Sequence, residues 1–184
     1  MLRILKWLFY GVAAVALIIV GGSFFLPSHV TVKRSIEIAA PPDKVFAIVG
    51  DLRRFGEFSP WADRDPDMKT SFEGAESGVG QVMRWTSDDP QVGNGVQTIV
   101  EHQPSTHVAS QVEFDMGKSI ASWDLAPAPL GTAVTWTFES DLTGIPAKWF
   151  GLMLENWIGA DYEKGLARLR AVAEKADPGP TASG

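Results

Sequence analysis

One carboxylate, Asp161, lies where a buried charge could do chemistry. Counting helical turns from Phe150 places Asp161 on the same side of a predicted helix as Leu154 and Trp157. A carboxylate on an apolar face needs a partner, or its pKa rises. Arg34, on the apolar side of the first predicted strand, is a candidate partner. Asp161 is therefore a candidate general base, and Arg34 and Asp161 are candidate polar anchors for a ligand; a structural ion pair or a hydrogen bond to an indole N–H is the favoured alternative for Asp161.

Other ionisable residues offer only loose candidates for acid–base catalysis, namely Glu155, Tyr162 and His102. The three histidines supply no evident set of metal ligands, so we predict no metal site. The glycine pairs at 78/80 and 93/95 lack the strand-to-helix setting of a dinucleotide loop. We therefore expect no cofactor.

Large apolar side chains are numerous, and seven of them are tryptophans. Two interpretations stay open: they line a pocket for a hydrophobic ligand, or they fill an ordinary core. The candidates for a cavity wall are Trp85, Phe114, Trp123, Trp136 and Phe138 on strands, and Phe150, Met153, Leu154, Trp157 and Ile158 on the helix.

These candidates must be positioned by one long helix and a sheet. Pro146 suits a helix start, and apolar residues then recur at helical spacing as far as Val172. Upstream, alternation predicts a first strand over residues 29–39, and prolines then open two short helices. Six further strands separated by turn residues follow, which indicates an antiparallel meander. They are predicted over residues 68–72, 81–86, 96–101, 108–114, 121–125 and 134–138.

The N-terminal segment has the length and composition of a membrane-spanning helix. Residues 7–26 carry no charge, and Pro27 ends the run. Arg3 and Lys6 favour a cytoplasmic N-terminus. A cleaved signal peptide is the alternative, but the apolar run is longer than usual and an Ala-x-Ala site is missing. We predict an anchor over residues 1–28, and hence an inner-membrane protein with its domain on the periplasmic side.

Composition excludes several functions for this chain of 184 residues. The net charge is −6 and no extended basic cluster occurs, so a nucleic-acid partner is not expected. The chain has no cysteine, which excludes disulfides and thiolate chemistry.

Four sequence stretches carry a resemblance to a known family. They are residues 32–46 (VKRSIEIAAPPDKVF), 55–61 (FGEFSPW), 131–136 (GTAVTW) and 159–169 (GADYEKGLARL). With the element order, they resemble the SRPBCC superfamily, which includes START lipid-transfer domains and the birch-pollen allergen, and most closely its polyketide cyclase/dehydrase branch. The resemblance implies an α+β helix-grip fold (β-α-α-β6-α) over residues 29–176, with a curved antiparallel sheet around the long C-terminal helix. Residues 177–184 are predicted to be a flexible tail.

The sequence and the resemblance together predict a membrane-anchored domain that holds a hydrophobic small molecule, a lipid or a polyketide-like compound, between the sheet and the helix. Two alternatives remain open. One is a cyclase or dehydratase acting on such a ligand, which needs a well-placed acid and base. The other is a partner-binding, chaperone-like module that uses an exposed apolar surface.

Overall fold

The computed structural model describes residues 2–114 and 117–175. The chain forms helix α1 (Leu2–Ser23), strand β1 (His29–Ile38), helix α2 (Pro42–Val49), a short 3₁₀ helix (Leu52–Glu57), six more strands and helix α3 (Ile145–Ala173). The six strands are β2 (Lys69–Gly74), β3 (Gln81–Thr86), β4 (Gly95–Gln103), β5 (His107–Phe114), β6 (Gly117–Ala128) and β7 (Gly131–Asp141). The predicted element order and the α+β fold class are confirmed, whereas the tail predicted over 177–184 lies outside the described residues.

The strands form one antiparallel sheet in the order β1-β7-β6-β5-β4-β3-β2. Successive strands pair as hairpins from β2 to β7, and β1 joins the free edge of β7 with Val32 opposite Phe138. Trp136 lies opposite Trp123, and Trp123 lies opposite Val108. Because side chains alternate between the two faces of a strand, this register decides which residues share the face that α3 covers.

Helix α3 is fixed to the sheet mainly through its second half. It lies along β1 and β7, and its residues Leu166, Leu169 and Ala173 are buried. Gly165 allows close packing, because a Cβ there would lie 2.7 Å from a ring carbon of Trp136 and 3.3 Å from Pro60 Cδ. Glu174 accepts a hydrogen bond from the backbone N–H of Ala39 (2.9 Å), which ties the end of α3 to the end of β1.

Helix α2 and the 3₁₀ helix close the end of the sheet that is remote from α1. Pro42 occupies the first turn of α2, where no N–H is needed, and α2 turns Phe46 and its apolar neighbours inward. Gln81 joins the two helices to the sheet, because its side chain accepts from Leu52 N (2.9 Å) and donates to Asp51 (2.7 Å).

Helix α1 stands outside the domain and contacts it at one place. It contains an 18-residue window, Lys6–Ser23, with a mean hydropathy of 1.6, long and apolar enough to cross a membrane. Its last turns contact the start of α3, and residues 24–28 link it to β1. The start of β1 therefore marks the end of the sheet that is nearest to α1.

Candidate functional site

The middle of α3 is held to the sheet by a stack of three aromatic rings. Trp136 lies between Trp123 (ring centroids 4.2 Å apart) and Tyr162 (3.7 Å), with nearly parallel planes. Phe58 packs edge-on against both indoles. Trp136 is 2% exposed, and its Nε1 is the one fully enclosed side-chain N or O atom without a hydrogen bond among the described residues. Trp123 and Trp136, predicted as cavity wall, thus lie within the packed core.

Asp161 is buried next to this stack and pairs with Arg64. The guanidinium of Arg64 donates to both carboxylate oxygens, with 2.8 Å from Nη1 to Oδ2. This hydrogen bond raises the pKa of Arg64 above its ordinary value. Arg168, two turns further along the same side of α3, donates to Ser59 O (3.0 Å) and to Asp63. The segment of residues 59–65 is therefore fastened to the second half of α3.

The predicted pair between Arg34 and Asp161 is wrong. Arg34 donates through Nε to Glu163 (2.8 Å) and through Nη1 to Glu155 (3.1 Å), and these bonds raise its pKa. Its guanidinium crosses α3 at Gly159, where a Cβ would come within 2.7 Å of Arg34 Cζ. Residues four apart share one side of a helix, so positions 155, 159 and 163 face β1 whereas Asp161 points elsewhere.

A set of small and polar residues lies on the same sheet face as Trp123, closer to α1. Gln97 lies opposite Val112, Val112 opposite Ser119, and Ser110 opposite Ala121. We call Gln97, Ser110 and Ser119 the polar floor. All three are buried, and in the part of the chain that the structure describes their side chains make no hydrogen bond.

The polar floor borders space that water can reach. Enclosed polar atoms without a partner are costly, and Trp136 Nε1 is the only such atom in residues 2–114 and 117–175. The unpartnered side-chain atoms of the polar floor are therefore not fully enclosed. Two surface depressions lie along α1 at Trp7 and Val15 and on the outer sheet face at Ile120 and Glu139, and Ser119 borders the second of them. We call the space between the polar floor and the first half of α3 the crevice.

The remaining cavity candidates lie at the end of the domain nearest to α1. Trp85 and Phe114 contact each other (5.7 Å) across Gly95, where a Cβ would collide with the Trp85 ring. On the helix, Phe150 contacts Trp157 (5.5 Å). Met153 and Trp157, also predicted as cavity wall, are 43% and 52% exposed on the outer side of α3. Phe138 is buried beside the polar floor, and Leu154 and Ile158 are half-buried on α3.

The loose catalytic candidates have other contacts. Glu155 binds Arg34. His102 packs its ring against Phe46, with centroids 4.8 Å apart, at the end of the sheet remote from α1. His107 binds Asp124 (2.7 Å) on the outer face. Across residues 2–114 and 117–175, no group of three His, Asp or Glu side chains is placed to hold a metal ion.

Burial of Tyr162 predicts a loss of stability at alkaline pH. Burial raises the pKa of its hydroxyl above the unfolded value of about 10. The folded state therefore holds the hydroxyl proton more tightly than the unfolded state does. The protein keeps its full free energy of unfolding below about pH 10, and above that pH it loses about 1.4 kcal/mol per pH unit. We expect urea unfolding of Tyr162→Phe, which keeps the ring stack, to depend less on pH above 10 than wild type. Equal slopes for the two proteins would contradict this account.

The sequence of this domain matches a known protein family. The model of a family described as polyketide cyclase/dehydrase and lipid transport matches residues 29–174. The chain belongs to this family. The resemblance to the polyketide cyclase/dehydrase branch predicted from the sequence is thereby confirmed. The matched region begins at His29, the first residue of β1. A search of curated protein sequences finds no match.

Solved structures similar to this polyketide cyclase/dehydrase-family chain share its fold at low identity. Protein CV1439 from Chromobacterium violaceum is 20% identical over 80% of this chain and 99% of its own, with a TM-score of 0.58. The Aha1 dimer protein from Colwellia psychrerythraea is 17% identical over 79% of this chain and 96% of its own (TM-score 0.55). The di-domain ARO/CYC StfQ from the steffimycin biosynthetic pathway is 14% identical over 79% of this chain and 51% of its own (TM-score 0.60).

Sequence reasoning missed two parts of the site in this polyketide cyclase/dehydrase-family domain. Arg64 was not predicted, because nothing in an Asp-rich loop indicates which helix it reaches 97 positions later. The polar floor was also not predicted, although a signal existed: Ser110 and Ser119 occupy inward positions of strands whose other inward residues are apolar. Such interruptions are the pattern to search for in related sequences.

Proposed function

We propose that this domain holds a hydrophobic small molecule in the crevice between the polar floor and the first half of α3. The observation that carries the proposal is the polar floor itself, because three buried polar side chains without partners border space that is not fully enclosed. A bound molecule with a hydroxyl or carbonyl group would satisfy them. The family description, which combines cyclase/dehydrase and lipid transport, supports a ligand of this kind.

The walls of the crevice suit an apolar ligand with few polar groups. Phe138 and Val112 lie beside the polar floor on the sheet, and Leu154 and Ile158 are half-buried on α3. Burial of apolar area stabilises a complex by about 25 cal/mol per Å², whereas a small number of placed polar groups fixes orientation. A lipid or a polyketide-like ring compound fits this division.

Binding is favoured over catalysis by the contacts of the acid and base candidates. Asp161 is neutralised by Arg64, and Glu155 by Arg34. Tyr162 is 2% exposed in the ring stack, and burial raises the pKa of its hydroxyl, which makes it a weaker acid than an exposed tyrosine. A cyclase or dehydratase needs an acid and a base directed at its substrate. A cyclase on this scaffold would act mainly by holding its substrate in a reactive conformation.

We also propose that α1 anchors the domain in the inner membrane, with a cytoplasmic N-terminus and a periplasmic domain. The basic residues Arg3 and Lys6 precede the apolar run, which supports this orientation. Trp149 Nε1 donates to Ile19 O (3.1 Å), and Lys148 Nζ to Ser23 O (3.3 Å). These contacts with the domain favour a retained helix over a cleaved signal peptide. The mass of the mature protein tests this, since cleavage near Phe24 would remove α1.

Filling the crevice is expected to expel the ligand. Ala121 lies on the inner sheet face beside Ser110, so the side chain of Ala121→Phe would occupy the crevice. Ile120→Phe is the matched control, because the neighbouring residue points to the outer face. Native mass spectrometry of the full chain, released from detergent, should detect an apolar molecule on wild type and on Ile120→Phe but not on Ala121→Phe.

A second variant tests the same location in case Ala121→Phe does not fold. Ser119→Leu adds less volume and should lower the ligand-bound fraction while near-UV circular dichroism stays native. An apolar molecule that remains fully bound to both folded variants would overturn this location of the site. Wild type that carries no apolar molecule, even after incubation with phosphatidylethanolamine/phosphatidylglycerol vesicles, would overturn the binding proposal.

A further inference from the structure

We propose that the outer face of the first half of α3 lies in the surface of the bilayer that α1 enters, so that a lipid membrane covers it. This inference rests on the anchoring by α1 proposed above. The outer face of α3 consists of Trp149, Leu152, Met153, Asn156, Trp157 and Ala160.

The six residues of this face carry no charge, and their apolar side chains are exposed; exposed Glu155 borders the face and pairs with Arg34. Its positions follow the three- and four-residue spacing of one helix face. Leu152 is 53% exposed and Trp157 is 52% exposed. Most apolar residues of this size on a helix face pack against a core, and a contiguous exposed group marks an interaction surface. The apolar stripe predicted from the sequence is buried in the second half of α3, whereas its large side chains in the first half are half-buried or exposed.

The exposed side of α3 changes character after Ala160. Lys164 and Arg170 continue the exposed side toward the end of the helix. The change follows the distance from α1. The apolar half of α3 begins at the contact with α1, and the charged half ends beside Ala39, at the far end of β1. Such a gradient fits a helix whose one end lies at a membrane surface and whose other end lies in water.

Helix α1 holds the apolar half at the place where a bilayer would begin. The indole of Trp149 packs on Gly22, where a Cβ would approach a ring carbon to 2.9 Å, and it donates to Ile19 O. Phe24 and Phe25 follow α1 directly and are 80% and 91% exposed. Tryptophan and phenylalanine at the end of a membrane-spanning helix are typical of the interface between lipid and water.

A bilayer explains this surface better than a second protein does. Trp149 joins the outer face directly to α1, whose apolar side chains are exposed, as are those of Phe24 and Phe25 that follow it. A membrane that surrounds α1 would necessarily lie next to that surface. Lys148 reaches back to Ser23 O, and its ammonium group is placed where lipid phosphates would lie.

The absence of native cysteine allows a direct test with site-specific probes. Single cysteines replace Val15 in α1, Leu152 on the outer face and Lys164 on the charged half, and each carries an NBD fluorophore. The full-length chain is placed in phosphatidylethanolamine/phosphatidylglycerol nanodiscs with doxyl-labelled lipids, which quench nearby NBD. We expect quenching of the Val15 probe by deep doxyl groups, quenching of the Leu152 probe by shallow ones, and no quenching of the Lys164 probe.

The three probes separate the possible failures. An unquenched Val15 probe would overturn the anchoring and, with it, this inference. A quenched Val15 probe beside an unquenched Leu152 probe would overturn only the present inference. If the Leu152 emission were then blue-shifted in proportion to protein concentration, a second copy rather than lipid would cover the face. Equal quenching at Leu152 and Lys164 would mean that the domain lies flat, which would also overturn it.

Discussion

Replacing Trp136 with alanine is expected to lower the free energy of unfolding by about 3–5 kcal/mol. The indole is 2% exposed and lies between the rings of Trp123 and Tyr162, so its removal leaves a cavity where α3 meets the sheet. Gly165, which packs on this ring, would lose its contact as well. Urea unfolding, monitored by near-UV circular dichroism in detergent, measures the change.

Two matched variants separate the causes of this effect. Trp157→Ala removes the same side chain from a position that is 52% exposed, and we expect a change of only about 0.5–1 kcal/mol. Trp136→Phe keeps a ring in the stack and loses no hydrogen bond, because Nε1 has no partner in the described chain. Its cost should lie between the other two. A Trp136→Ala variant no less stable than Trp157→Ala would mean that this stack does not hold α3.

Breaking the Asp161–Arg64 pair is expected to cost stability without releasing the ligand. Asp161→Asn leaves the guanidinium of Arg64 without its carboxylate, and loss of one partner from a buried pair costs about 3–5 kcal/mol. The side chain of Arg64 is 28% exposed, so water can solvate part of its unpaired charge. We therefore expect Asp161→Asn to lower the free energy of unfolding by about 1–3 kcal/mol. Native mass spectrometry should still detect bound ligand on the folded fraction.

A double-mutant cycle with Arg64→Met identifies the partner. Asp161→Asn in the Arg64→Met background should cost clearly less than in wild type, since the pair is already broken. Asp63→Asn is the control, because Asp63 pairs with Arg168 in an exposed setting and its loss should matter less. Loss of the ligand from a stably folded Asp161→Asn protein would instead restore the interpretation of Asp161 as a ligand anchor or general base.

The fold could be predicted because each element carries a local signal. Alternation in β7, at Val134, Trp136 and Phe138, appears in the residue types themselves, and so does the proline at the start of α3. Strand boundaries shifted by a few residues at the hairpins, since polar residues continue the ladders beyond the apolar core. β6, for example, extends from Gly117 to Ala128 although the alternating core covers only residues 121–125.

The contacts of the site were harder to predict, because they join distant parts of the chain. The sequence places Arg34 and Asp161 on apolar faces, but it does not give the rotation of α3 against β1. That rotation directs Glu155 and Glu163 to Arg34 and leaves Asp161 for Arg64. The same limit applies to the aromatic residues. Alternation indicates that Trp123, Trp136 and Phe114 share a face, but not that Phe58 and α3 bury the first two and leave Phe114 42% exposed.

The link of residues 24–28 between α1 and β1 limits how far the domain can travel. Fully extended, such a link spans about 18 Å, less than the diameter of the domain. With α1 inserted as proposed, cargo could not be ferried across a wide aqueous gap. Delivery would be restricted to acceptors in, or pressed against, the same leaflet.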